Sequence, residues 1–102
     1  MVKRGEVYWV NLDPTLGTEI KKTRPALIVS PDDLNVHLPR VIVAPLISQG
    51  QALGCRPVVS FDGKSARILL DQLRSVDKCR LLGKMGMIEL ELWHPLLLEM
   101  LA

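Results

Sequence analysis

Arg24 stands at a junction suited to phosphate chemistry. A polar stretch from Asp13 to Thr23 precedes it and carries Lys21 and Lys22, and the apolar run Pro25–Ser30 (PALIVS) follows it. A buried strand behind the arginine would hold it rigidly, and its planar fork matches two phosphate oxygens at once. Position alone leaves a second reading open, that of a surface arginine at a strand end. Lys21 and Lys22 are mobile point charges suited to a nucleic-acid backbone, or else a solvated loop face. Asp71 offers a carboxylate for proton transfer, or one that only accepts backbone donors. Ser48, closing another apolar run, offers a hydroxyl or is an ordinary turn residue.

Other chemistries find less support. Cys55 and Cys79 form no CxxC pair, and His37 and His94 lie far from both. A zinc site is therefore not expected, and two free thiols of a reducing compartment are. The formal net charge of +2 permits nucleic-acid binding without demanding it. Residues 1–30 carry five Lys/Arg against three acids, so a basic patch is expected largely there, and no Lys or Arg follows Lys84. There is neither a leader-like N-terminus nor an apolar run long enough to span a bilayer, so a cytoplasmic protein without membrane contact is expected.

The elements that would position these residues are mostly strands. The chain length of 102 residues fits one domain spanning 1–102. Gly5–Leu12 (GEVYWVNL) is rich in β-branched and aromatic residues and predicts a strand with both faces partly buried. Asp13-Pro14 stops it. Pro25–Ser30 predicts a central strand. Pro31–Asn35 predicts one helical turn, with Ser30 as N-cap and Pro31 at the first helical position. Arg40–Ser48 predicts a third strand, in which Pro45 argues for an edge or a bulge. Gln49–Gly54 reads as a loop. Arg56–Phe61 and Ser65–Leu73 predict a hairpin closed by Asp62-Gly63. Arg74–Lys78 reads as a turn, and Cys79–Met87 as a last short strand. Glu89–Leu101 predicts an apolar helix that Pro95 splits, its firm part starting near His94–Pro95. Five or six short strands with one terminal helix fit a small, strongly bent barrel. Trp9 and Trp93 are expected in the core or at a dimer interface rather than as stacking platforms, and His94 is expected to be structural.

Three stretches, in this order and spacing, resemble the MazF/PemK toxins. They are Lys3-Arg4-Gly5-Glu6-Val7-Tyr8-Trp9-Val10 with Leu12-Asp13-Pro14 and Gly17-Thr18-Glu19, then Thr23-Arg24-Pro25-Ala26-Leu27-Ile28-Val29-Ser30, and then Leu70-Asp71-Gln72-Leu73-Arg74-Ser75-Val76-Asp77-Lys78. The resemblance implies a mainly β, SH3-like small barrel with a C-terminal helix, the MazF/CcdB-like toxin fold. It implies a homodimer, sequence-selective cleavage of single-stranded RNA without metal or cofactor, and a cognate antitoxin whose acidic tail covers the RNA groove. It makes Arg24 catalytic. Ile47 falls where the family has a catalytic threonine, and Ser48 falls on the serine that often follows it. Asp71 matches an acid that some members use as the base, although their arginine two positions earlier is Leu69 here. Thr18-Glu19 replaces a His-Glu pair of some relatives. The expected catalytic set is thus Arg24, Ser48 and Asp71. The expected RNA contacts are Gly17, Thr18, Glu19, Lys21, Lys22, Gln49 and Gln72. Two alternatives remain, a same-fold toxin that binds gyrase without chemistry and a weakened member that only binds antitoxin or RNA.

Overall fold

The computed structural model describes residues 1–13, 22–48 and 52–102. Among these, β1 (Glu6–Asn11), β2 (Thr23–Ile28), β3 (Arg40–Ile47), β4 (Val58–Phe61), β5 (Lys64–Ile68), β6 (Arg74–Asp77) and β7 (Leu81–Met87) form one seven-stranded sheet in the order β4-β5-β3-β2-β1-β7. β6 joins off this path, against β3. The pairings are antiparallel throughout. Helix α1 (Asp32–His37) links β2 to β3, and α2 (His94–Leu101) ends the chain.

Alternation along the strands sends side chains to opposite faces, and here each face builds a core. Val7, Leu27, Val29, Ala44, Leu46, Val59, Ile68, Leu70, Ile88, Trp93 and Leu97 fill the first. Val10, Leu12, Ala26, Ile28, Val41, Val43 and Val76 fill the second. The near-continuous apolar runs of β2 and β3 follow from this two-sided burial. The helix splits where Pro95 predicts: a single 3-10 turn covers Leu90–Leu92, and α2 opens with Pro95 in its first turn. Proline is tolerated there because the first-turn N–H groups have no helical partner.

Three local expectations need correction. Pro45 lies neither at an edge nor in a bulge, but buried in central strand β3, opposite Ala26 of β2. On its other side β3 changes partner, pairing with β6 through residues 40–43 and with β5 through Leu46 and Ile47. Pro45 falls in that gap, where its carbonyl accepts the Leu69 N–H at 2.8 Å and no ladder bond needs the missing donor. The stretch Ser65–Leu73 is accordingly not one strand: β5 ends at Ile68, a 3-10 turn covers Leu70–Gln72, and Arg74–Asp77 is strand β6 rather than a turn. Seven strands replace the five or six expected.

The third correction concerns α1. It starts at Asp32 with Pro31 as N-cap and no side-chain cap. The Ser30 hydroxyl instead donates to Asn35 Oδ1 at 2.5 Å and accepts the Ile42 N–H at 3.0 Å. It ties α1 to β3 rather than capping the helix.

Candidate active site

Arg24 is the second residue of β2 and pairs with Val10 of β1. The ladder with β1 holds the backbone that carries the guanidinium, and two residues on, β2 is also flanked by β3, from Ala26 to Ile28. The side chain lines a groove of about 300 Å³ with Trp9, Pro25, Leu46, Ile47, Ser48, Phe61, Asp62, Lys64, Ser65, Ala66 and Met85. Leu46, Phe61 and Ala66 also belong to or pack on the first core, so the groove is the open end of that core.

Ile47 and Ser48 both line the groove. Strand alternation would send them to opposite faces, but β3 ends at Ile47 and the backbone bends at Ser48. Strand termination lets Ser48 line the same groove as Arg24. Lys64 adds a second cation, and Asp62 is the one carboxylate among the described lining residues. Trp9 is 41% exposed and is no core residue, while Trp93 is completely buried. His94 packs edge-on against the Trp93 ring, with centroids 5.8 Å apart.

Asp71 does not line this groove. It sits in the 3-10 turn Leu70–Gln72 and accepts two bonds from one guanidinium, Arg56 Nε at 2.9 Å and Nη2 at 2.8 Å. Arg56 holds the Asp71 carboxyl below the usual range of its kind and is itself raised by the same bond. Arg74 pairs with neither Asp71 nor Asp77 but donates to the Leu12 carbonyl at 2.8 Å. Arg80 donates to the carbonyls of Asn11 and Asp13. Asp13 in turn accepts the Lys22 N–H at 2.8 Å. Two arginines from beyond the Asp71-Gln72 pair therefore fasten residues 11–13, and Leu12 and Asp13 in turn hold Lys22 across the neck of residues 14–21. Lys22 takes a positive φ of 71° at this neck, a conformation that costs a non-glycine residue about 1 kcal/mol or more. Gln72 is half-buried beside Asp71. Gly17, Thr18, Glu19, Lys21 and Gln49 lie outside the described residues.

Sequence reasoning missed Phe61, Asp62, Lys64, Ser65 and Met85 as groove residues, and Arg56 as the partner of Asp71. The Asp62-Gly63 turn was legible, and both residues do take positive φ. What the hairpin leans against depends on long-range packing that no local signal carries.

Among the described residues no three His, Cys, Asp or Glu side chains gather to hold a metal ion, and no helix is long and apolar enough to cross a membrane. Cys55 and Cys79 are free.

Comparison with known proteins places this arrangement. The chain is similar to the endoribonuclease EndoA of Bacillus subtilis, with 36% identity over 98 residues that cover 90% of this chain and 84% of the relative. The fold is that of a solved MazF from Deinococcus radiodurans, with TM-score 0.85, 24% identity and coverage of 98% of this chain and 96% of the other. It is also that of a mycobacterial endoribonuclease solved in complex with its cognate antitoxin, with TM-score 0.73, 20% identity and coverage of 95% and 87%. The family model of PemK-like, MazF-like toxins of type II toxin–antitoxin systems matches residues 3–97, and the chain belongs to that family.

Proposed function

We propose that this protein is an endoribonuclease toxin that cleaves single-stranded RNA through the groove between β2, the end of β3 and the β4–β5 hairpin. The observation that carries the reading is the convergence of Arg24, Ser48 and Lys64 on one groove. Cleavage requires the ribose 2′-hydroxyl to attack the adjacent phosphorus, giving up its proton, while the 5′-oxygen leaves and takes one up. The products are a 2′,3′-cyclic phosphate and a 5′-hydroxyl. The phosphorane between them carries extra negative charge, and fixed donors aimed at such charge are usually the largest contribution to catalysis. Arg24 supplies a planar pair of donors from a rigid strand, Lys64 a point charge, and Ser48 a hydroxyl. The reaction needs no metal in this reading. Trp9, Phe61 and Met85 provide apolar faces against which an unstacked base can lie, as single-strand binders require.

Two partners follow. The same cationic and apolar groove suits the acidic tail of a cognate antitoxin, which would exclude RNA by occupying it. A second copy of the chain is expected, which would cover some of the exposed apolar side chains Leu82, Met87, Leu98 and Leu101.

The test is incubation of purified protein with a long single-stranded RNA in EDTA. Discrete fragments bearing 5′-hydroxyl ends support the reading. An intact RNA across many sequences, with antitoxin or gyrase binding retained, would replace it with a binding-only toxin.

A further inference from the structure

The β4–β5 hairpin forms one whole wall of the groove, contributing Phe61, Asp62, Lys64, Ser65 and Ala66. Val59 and Ile68 anchor it in the first core, but its backbone pairing to the rest of the sheet is short. β5 pairs with β3 at only two positions, Leu46↔Ile68 and Ile47↔Arg67. At the hairpin tip the Phe61 ring rests against Gly86 of β7. A further fastening is at the root, where Arg56 precedes β4.

That root is held by polar bonds. The Arg56 side chain makes its two-pronged bond to Asp71. The Arg56 N–H donates to the Leu53 carbonyl at 3.0 Å, and the Arg56 carbonyl accepts Arg67 Nη1 at 3.4 Å. Arg67 stands opposite Ile47 in the ladder and opposite Val58 in the hairpin. A continuous path therefore runs from Asp71 through Arg56 and Arg67 to the end of β3, where Ser48 lines the groove. The side chains of the pair are 15% and 31% exposed, and Asp71 lies at the surface, so the bridge depends on its two-pronged geometry rather than on burial.

We propose that Arg56 and Asp71 are positioning residues, a strut that fixes the hairpin wall and so sets the width of the RNA groove. The inference rests on the ribonuclease reading and assigns Asp71 a place outside proton transfer. A base would have to reach the 2′-hydroxyl directly or through one water, whereas the Asp71 carboxylate is committed to Arg56 and lies outside the groove lining. Small displacements of a positioning wall are costly in rate, because an error of about 1 Å can cost on the order of 100-fold.

The experiment compares wild type with Arg56→Ala, Asp71→Asn, Arg56→Lys and the double variant Arg56→Ala/Asp71→Asn. Cleavage kinetics against pH are measured alongside amide hydrogen exchange. The strut predicts that both single variants lower kcat/KM by about tenfold or more. It predicts that the double variant is no worse than either single one, and that Arg56→Lys, which keeps the charge but not the fork, recovers part of the loss. The acid limb of the pH profile keeps its position in Asp71→Asn. Exchange accelerates across β4 and β5 while β1 and β2 keep their protection, which distinguishes a loosened wall from general destabilisation.

Loss of the acid limb in Asp71→Asn, with Arg56→Ala near wild-type activity, would overturn the strut and restore Asp71 as the base. If the wild type cleaves no RNA, the ribonuclease reading fails, and exchange alone decides the strut. Unchanged protection of β4 and β5 in Arg56→Ala would then refute it.

Discussion

A methyl group on Gly86 would stand 3.1 Å from the Phe61 ring. Phe61 belongs to β4 and Gly86 to β7, the two ends of the strand order, so this contact closes the bent sheet on itself beside the groove. Gly86→Ala is expected to strain a backbone whose φ is +156° and to push the ring outward, costing about 1 kcal/mol or more of stability and weakening RNA binding. Urea unfolding with an unchanged m-value, together with RNA titration, measures both. Unaltered stability and affinity would mean that the ring yields freely and that the closure sets nothing.

The two tryptophans should separate binding from folding. Trp9→Ala removes an exposed face in the groove and should weaken single-stranded RNA binding by about 1–3 kcal/mol with little change in unfolding. Trp93→Ala empties the centre of the first core and should cost about 3–5 kcal/mol of stability. Fluorescence-anisotropy titration and chemical denaturation on both variants check the division. A binding defect confined to Trp93→Ala would reverse it.

The division between these tryptophans also shows how far the sequence could be read. The first three strands, the Asp62-Gly63 turn and the break before Pro95 are local, set by β-branched runs, turn chemistry and the missing proline donor, and they emerge where expected, whereas the stretch Ser65–Asp77 breaks differently. The fate of Trp9 is not local. Trp9 shares a face with Val7, and whether that face is core or groove at its position depends on where β4 and β5 stop covering it. Pro45 makes the same point. Its type predicts a place without a ladder bond, which is correct, but only the change of partner along β3 puts that place in the middle of the sheet. The place of Arg24 at the start of a strand was legible from its junction. The role of Arg56 was not, because its partner lies 15 residues away in a 3-10 turn that reads as continuous strand.

Acid should loosen the N-terminal strand. Burial pushes the Glu6 carboxyl up, but the Lys84 ammonium at 2.5 Å, the Lys3 N–H at 2.7 Å and the Tyr8 hydroxyl outweigh it, and its pKa ends below the ordinary 4.5. A carboxyl depressed on folding contributes stability that is fully present above its unfolded value and is lost as pH falls through the folded one. Stability should therefore decline below pH 4.5, and Glu6→Gln should reduce that decline while lowering stability at neutral pH. Urea midpoints across the acid range test this. A variant as acid-sensitive as wild type would assign the loss to other carboxylates.

Ile47 lines the groove half-buried beside Ser48. Ile47→Thr places a second hydroxyl there, and one added hydrogen bond to a charged phosphate should raise the cleavage rate by about tenfold. Single-turnover cleavage measures it. No gain would show that Ser48 already fills the role.

The central claim is that Arg24 stabilises charge on the scissile phosphate. Its most direct test is the cleavage rate of Arg24→Ala on single-stranded RNA, with circular dichroism confirming the fold. The rate should fall by about 10²–10³-fold or more in a folded protein. A folded Arg24→Ala variant that cleaves at the wild-type rate would contradict the claim and move the chemistry away from this groove.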